Sequence, residues 1–211
     1  VGLTALVIIF QPELRKALEN LGGKNVLGKL FDFGKVEENK FSDHTIDELI
    51  KACYAMGKVK TGALIVIEDE ILLNEYVRTG IDIDAIISSQ LLINIFEKNT
   101  PLHDGAVIVR GDRVVSATCY LPLSDSMTLS KDLGTRHRAA VGVSETTDSL
   151  TIVVSEETGR VSVAEGGMLR SVPTAEALRN ILSGLMKEEP VSSNRFKIWK
   201  GRLINGKKAD K

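Results

Sequence analysis

The stretch TGALIVIE, residues 61–68, constrains this chain most. It is short, rich in β-branched residues and uncharged until Glu68, and it is bounded by Gly62 on one side and Glu68-Asp69-Glu70 on the other. A run of that length and composition is a strand buried on both faces, so the sheet that contains it must be covered twice. The remaining pattern supplies the covers. Thr45 and Glu48 read as a capping box before the apolar face Ile46, Leu49, Ile50, Cys53 and Tyr54 of a helix. SSQLLINIFEKN (88–99) reads as a helix capped by Ser88 or Ser89 and closed at Thr100-Pro101. TRHRAAVGVSE (135–145) and PTAEALRNILSGLM (173–186) are two more. Strands are expected at 105–110 and 113–121 around Gly111-Asp112, and in SLTIVVSEE and GRVSVAEGG around Thr158-Gly159. Helices and strands alternate, yet several strands meet through tight turns. The expectation is an α/β fold, a single globular domain with a central mixed β-sheet flanked by helices.

Composition narrows the classes. The chain has 211 residues, 43% hydrophobic and 26% charged, which suits one full-sized core. A net charge of -1 gives no field for a long polyanion, so no nucleic-acid partner is expected and any anion site must be built locally. Cys53 and Cys119 belong to no C-x-x-C pair and read as buried thiols.

The two ends differ from the middle. VGLTALVIIF opens the sequence without a charge and QPELRKALENLGG follows as a short amphipathic helix stopped by Gly22-Gly23. Ten residues do not span a bilayer, which takes about 20, so the opening is either the end of a membrane helix or a core segment. Residues 23–44 show neither helical nor strand period and read as a loop whose aromatics pack on the domain. From Arg195 to Lys211 seven Lys or Arg face Asp210 alone, the pattern of a solvated tail that a nearby anionic membrane could also use. The expected organisation is 1–22 as terminal membrane segment and linker helix, 23–189 as catalytic domain and 190–211 as basic tail.

Two segments could carry chemistry. In LHDGA, Asp104 precedes Gly105, which has no side chain to keep a ligand from the backbone. Asp-Gly is also an ordinary turn pair before a strand, but His103 adds a nitrogen beside the carboxylate, a set able to hold a divalent ion or meet a reacting hydroxyl. In GTRHRAA, a helix starting at Thr135 or Arg136 would point its unpaired N–H groups outward, with Gly134 permitting close approach and Arg136 and His137 adding donors. Basic residues in a first turn oppose the helix dipole, and a purely structural helix would place acids there. An anion, such as a phosphate, explains the conflict. The sequence holds no G-x-x-x-x-G-K-[ST], G-x-G-x-x-G or G-x-S-x-G. His44 reads as a surface residue and Trp199 as a packing anchor.

PLHDGAVIV, CYLPLS, LGTRHRAAVGVSE and TIVVSEETGRVSVAEGG together resemble the diadenylate cyclase domain, which joins two ATP molecules into cyclic di-AMP. Its two signatures stand here as Asp104-Gly105-Ala106 and Arg136-His137-Arg138, and the similarity covers roughly residues 40–185. The resemblance implies that Asp104 acts on a 3′-hydroxyl, as base or through a divalent metal (Mn²⁺, Mg²⁺ or Co²⁺) that His103 would help ligate. Gly105 and Ala106 would approach the ribose, Tyr120 and Leu121 would flank the adenine, and Gly134, Thr135, Arg136 and His137 would hold the triphosphate. Ser155 and Glu156 would add phosphate or metal contacts.

The opening residues resemble the last transmembrane helix and linker of the membrane-anchored members. That implies a truncated protein of a bacterial cell membrane with its catalytic domain in the cytoplasm. Family analogy adds a membrane-bound regulator and phosphoglucosamine mutase as partners. One Asp-Gly-Ala per chain implies a homodimer, because a cyclic product needs the reaction twice. The rivals are a non-catalytic nucleotide-binding sensor module and a metal-dependent phosphohydrolase.

Overall fold

The computed structural model describes residues 41–127, 129–130 and 133–185. The expected segments 1–22 and 190–211, with their membrane and tail readings, and most of the 23–44 loop lie outside the described residues.

Helix α1 (Asp43–Lys58) is followed by strand β1 (Ala63–Ile67), helix α2 (Asn74–Val77), strand β2 (Ile81–Ile86) and helix α3 (Ser89–Ile95). Next come strands β3 (Ala106–Arg110) and β4 (Arg113–Cys119), helix α4 (Thr135–Thr146), strands β5 (Leu150–Val154), β6 (Val161–Glu165) and β7 (Met168–Ser171), and helix α5 (Ala175–Ser183). The seven strands form one sheet in the order β2-β4-β3-β1-β5-β6-β7. β1 pairs in parallel with β3, and every other neighbour is antiparallel, which is the mixed sheet expected from the turns.

β1 is buried at all five positions because helices cover both sides of the sheet. Ala63, Ile65 and Ile67 join Val107, Val109, Ile152 and Val154 beneath α1, α3 and α5, where Ile46, Leu49, Leu92, Leu178 and Leu182 meet them. Leu64 and Val66 face the other way, with Ile108 and Val153, against Ala139, Ala140 and Val143 of α4. Each fully buried Ile or Val side chain contributes roughly 1.5–3 kcal/mol of transfer free energy. α4 is buried without a break from Ala139 to Ser144. Small residues allow this: a Cβ on Gly142 would stand 2.2 Å from the Pro122 carbonyl oxygen, so the β4–α4 loop lies directly on the helix. Ser124 N–H donates to the Arg138 carbonyl at 3.0 Å along the same seam.

Several expectations are corrected. The cap of α1 is Ser42, whose hydroxyl accepts from Thr45 N–H at 3.3 Å. Thr45 instead donates its hydroxyl to Asp112 at 2.7 Å, and Glu48 accepts from Ser89 N–H at 2.5 Å, so these two side chains tie α1 to the β3–β4 turn and to the start of α3. α3 ends at Ile95, short of Asn99: Thr100 donates its hydroxyl to the Glu97 carbonyl at 2.8 Å and Asn99 sits at φ 62°. Pro173 lies outside α5, which Thr174 caps through Ala177 N–H. The strands β2 and β7 and the short α2 are not among the expected elements, although Ile81-Asp82-Ile83-Asp84 in β2 alternates as a strand does. β2 exposes Ile81 and Ile86, holds Asp84 at φ 46° and slips register between Asp82 and Ala85. A bulge and acidic residues on a sheet edge oppose pairing with another chain.

Candidate active site

One end of the central strands gathers the expected site residues. Ala63 at the start of β1 pairs with Val154 at the end of β5, and the parallel register of β1 with β3 sets Gly105 level with Ala63. Ala106 pairs with Cys119, which brings the end of β4, and with it Tyr120, to the same end.

The first part of this end is a cavity of about 380 Å³ at the start of α4. Gly134, Thr135, Arg136 and His137 line it together with Ser155 and Glu156. Gly134 is the N-cap of α4 and no side chain caps the helix, so the positive end of the dipole opens into the cavity. Arg136 donates from Nη1 to Glu156 Oε2 at 2.8 Å, while its Nε is buried with no partner among the described residues. A buried charged donor without an acceptor is costly unless a ligand supplies one. Burial holds the His137 imidazole below its ordinary pKa, opposed in part by the nearby Glu157 carboxylate, so the ring is neutral at pH 7. The Ser155 hydroxyl accepts from Glu157 N–H at 3.3 Å and Thr158 N–H at 3.2 Å. Its lone pairs are engaged in the β5–β6 turn, which leaves its proton to donate to an anion and makes it a poor metal ligand.

The second part is the loop before β3. His103 Nδ1 lies 2.6 Å from the Thr100 carbonyl. A carbonyl only accepts, so Nδ1 carries a proton and Nε2 is the ring nitrogen left to face a ligand. Asp104 is exposed, with no hydrogen bond or ion pair among the described residues. Gly105 has φ +110°, and a Cβ there would lie 2.7 Å from the Thr118 carbonyl carbon and 2.9 Å from its Cα. The close approach that needs this glycine is therefore made by β4 itself, where the sequence suggested a ligand. Thr118, at φ 57°, sits in the irregular stretch where β4 passes it. Ala106 is fully buried, Tyr120 is 72% exposed and Leu121 is half-buried against the α4 side of the core.

The expected site residues thus fall into two groups at one end of the sheet. Gly134, Thr135, Arg136, His137, Ser155 and Glu156 share a cavity. His103, Asp104, Gly105, Ala106, Tyr120 and Leu121 lie on β3 and β4 and do not line it. Among the described residues no three His, Cys, Asp or Glu side chains gather into a metal cluster, so His103 and Asp104 would need further ligands from outside them. Thr158 and Arg160 also line the cavity and were not singled out from the sequence. The TGR of the β5–β6 turn was legible as a turn, but which cavity its arginine borders depends on α4, more than a dozen residues earlier.

A family model described as "DisA bacterial checkpoint controller nucleotide-binding" matches residues 50–169. The chain is 51% identical over 203 residues to the cyclic di-AMP synthase CdaA of Bacillus subtilis, covering 95% of this chain and 72% of that protein. It belongs to the diadenylate cyclase family. Solved structures agree: DacA from Staphylococcus aureus, crystallised as a double mutant, superposes with a TM-score of 0.67 at 49% identity, over 68% of this chain and 96% of that one. A hypothetical membrane spanning protein from Bacillus cereus gives a TM-score of 0.61 at 34% identity over 80% of each chain. In this diadenylate cyclase the family match includes both parts of that end of the sheet, from the Asp104 loop to the β5–β6 turn. No helix among the described residues is long and apolar enough to cross a membrane.

Proposed function

We propose that the chain condenses two ATP into cyclic di-AMP, releasing two pyrophosphates, in a site completed between two facing protomers. The spacing across that end of the sheet carries this reading. The Asp104 loop enters β3 and the phosphate cavity opens beside the end of β5, two strands away in the order β3-β1-β5, or about 10 Å. A carboxylate at that remove fits a nucleotide held across a two-fold axis.

In each half-reaction the 3′-oxygen of one nucleotide bonds to the α-phosphorus of the other. The bond from that phosphorus to the oxygen bridging to the β-phosphate breaks, and pyrophosphate leaves. Asp104 accepts the 3′-hydroxyl proton and passes it to water. Repetition on the second pair closes the ring. The first-turn N–H groups of α4, Arg136 Nε, a His137 ring N–H and the Ser155 hydroxyl hold the triphosphate and meet the charge that develops on it. Gly105 borders the ribose with Ala106 buried behind it, and Tyr120 with Leu121 flanks the adenine.

The free Nε2 of His103 beside an unpaired Asp104 suits a divalent ion that takes its other ligands from phosphate oxygens and water, with Mn²⁺, Mg²⁺ and Co²⁺ as candidates. Such an ion would offset phosphate charge. Residues 1–22 would tether domain 23–189 to the cytoplasmic face of a bacterial membrane, with 190–211 as a basic tail beside it.

The test is chromatography of the products made from ATP with Mg²⁺ or Mn²⁺ across a dilution series. Cyclic di-AMP whose yield per chain falls as the dimer dissociates is expected. ADP or AMP as the sole product would replace the reading with phosphohydrolysis, and a yield per chain indifferent to dilution would remove the two-protomer site.

A further inference from the structure

Gly62 precedes β1 at the same end of the sheet. It is not in the left-handed region, so backbone conformation does not require glycine there. Space does. A Cβ at this position would stand 2.9 Å from Arg136 Nη1 and 3.1 Å from both Cβ and Oε2 of Glu156. These three nearest atoms all belong to the ion pair that walls the phosphate cavity. The guanidinium is planar and rigid, so displacing Nη1 also moves Nε, the donor left without a partner. The pair also explains why a carboxylate stands in a cavity built for an anion: Glu156 fixes one nitrogen of Arg136 and leaves another for the ligand.

We propose that Gly62 is a positioning residue for the triphosphate: bare backbone at the mouth of β1 lets the Arg136–Glu156 pair settle against it, with Nε free for a phosphate oxygen. This rests on the reading of the Gly134–His137 cavity as the triphosphate site. Glu156 then acts through Arg136, as its counter-ion.

The experiment is a double-mutant cycle read by calorimetric titration with ATP and with inorganic triphosphate. Gly62→Ala is expected to weaken both ligands about tenfold, the loss of one charge-assisted hydrogen bond. In an Arg136→Ala background the same Gly62→Ala change is expected to weaken both ligands less than twofold, because the nearest displaced group, Arg136 Nη1, is gone and only the 3.1 Å contacts to Glu156 remain. A purely structural role for Gly62 would give the same loss in both backgrounds and would overturn the inference while leaving the cavity's role intact. If Gly62→Ala fails to fold alone, the Gly62→Ala/Arg136→Ala chain should fold, and failure of that rescue overturns the inference too. A wild-type chain that binds neither ATP nor triphosphate sinks the cavity reading, and this inference with it.

Discussion

At the scale of single residues, the side chains proposed for the site are ones that break local rules. Arg136 and His137 occupy a helix start that favours acids, and Asp104 is exposed without a partner. Asp104→Asn keeps the side-chain shape and removes the proton acceptor. It is expected to retain ATP binding and to lower cyclic di-AMP formation by about a hundredfold or more, whereas unaltered turnover in a product assay would make Asp104 a turn residue only. His137 carries a second prediction. Its pKa in the free protein lies below the ordinary 6.5 because of burial, and a bound triphosphate favours the imidazolium. Binding of ATP is therefore expected to move the His137 titration upward, toward and past 6.5, in proton NMR of its ring. An unmoved titration would separate His137 from the phosphates. In the free protein the depressed value means that stability is complete above the unfolded pKa and falls as pH drops through 6.5 toward the folded value.

Between elements, a few polar side chains lock the sheet to its covers. Glu68 has 1% of its side chain exposed, accepts from Leu73 N–H at 2.8 Å and pairs with Arg110 through two nitrogens. The Glu68 hydrogen bonds raise the Arg110 pKa further, against the effect of burial. Arg110→Met would strand that carboxylate, and a loss of about 3 kcal/mol in denaturant unfolding is expected. Glu48 and Asp112 perform a related task at α1. The Ser89 N–H holds Glu48 below its ordinary 4.5. For Asp112, burial raises the pKa, but the bonds from Thr45 and Ser42 outweigh it and leave it below 3.8. Both carboxylates add stability that is complete above those values and is lost as pH falls through the lower folded ones, so acid unfolding should set in below about pH 4.5. Glu48→Gln and Asp112→Asn should flatten that dependence in thermal melts between pH 5 and 3, within the range where Asp and Glu titrate, roughly pH 3–5. These ties were illegible in the sequence. Thr45 and Glu48 have capping-box spacing, but the competing cap, Ser42, and the distant partners Asp112 and Ser89 appear only after folding.

At the scale of the whole molecule, β1 is the pivot. It pairs with β3, which carries the Asp104 loop, and with β5, whose end borders the cavity at the start of α4. Its own start, at Gly62, lies against the ion pair of that cavity. The sheet therefore sets the distance between the two groups of proposed site residues, and a single domain carries both at one end of its central strands. Loosening β1 should disturb the two together. Ile65→Ala, in the fully buried centre of that strand, is expected to cost about 2–5 kcal/mol in denaturant unfolding, and a loss under 1 kcal/mol would mean the strand is not central to the core. By itself the sequence determined the strong periodic elements, the mixed character of the sheet and the two signature segments, because hydrophobic period, turn residues and an uncapped basic helix start are local properties. Only the tertiary structure decided the edge strands β2 and β7, the true cap of α1 and the place of Thr158 and Arg160 in the cavity lined by Arg136. Each of these depends on contacts between residues far apart in the chain, and local pattern holds no information about which of them will meet.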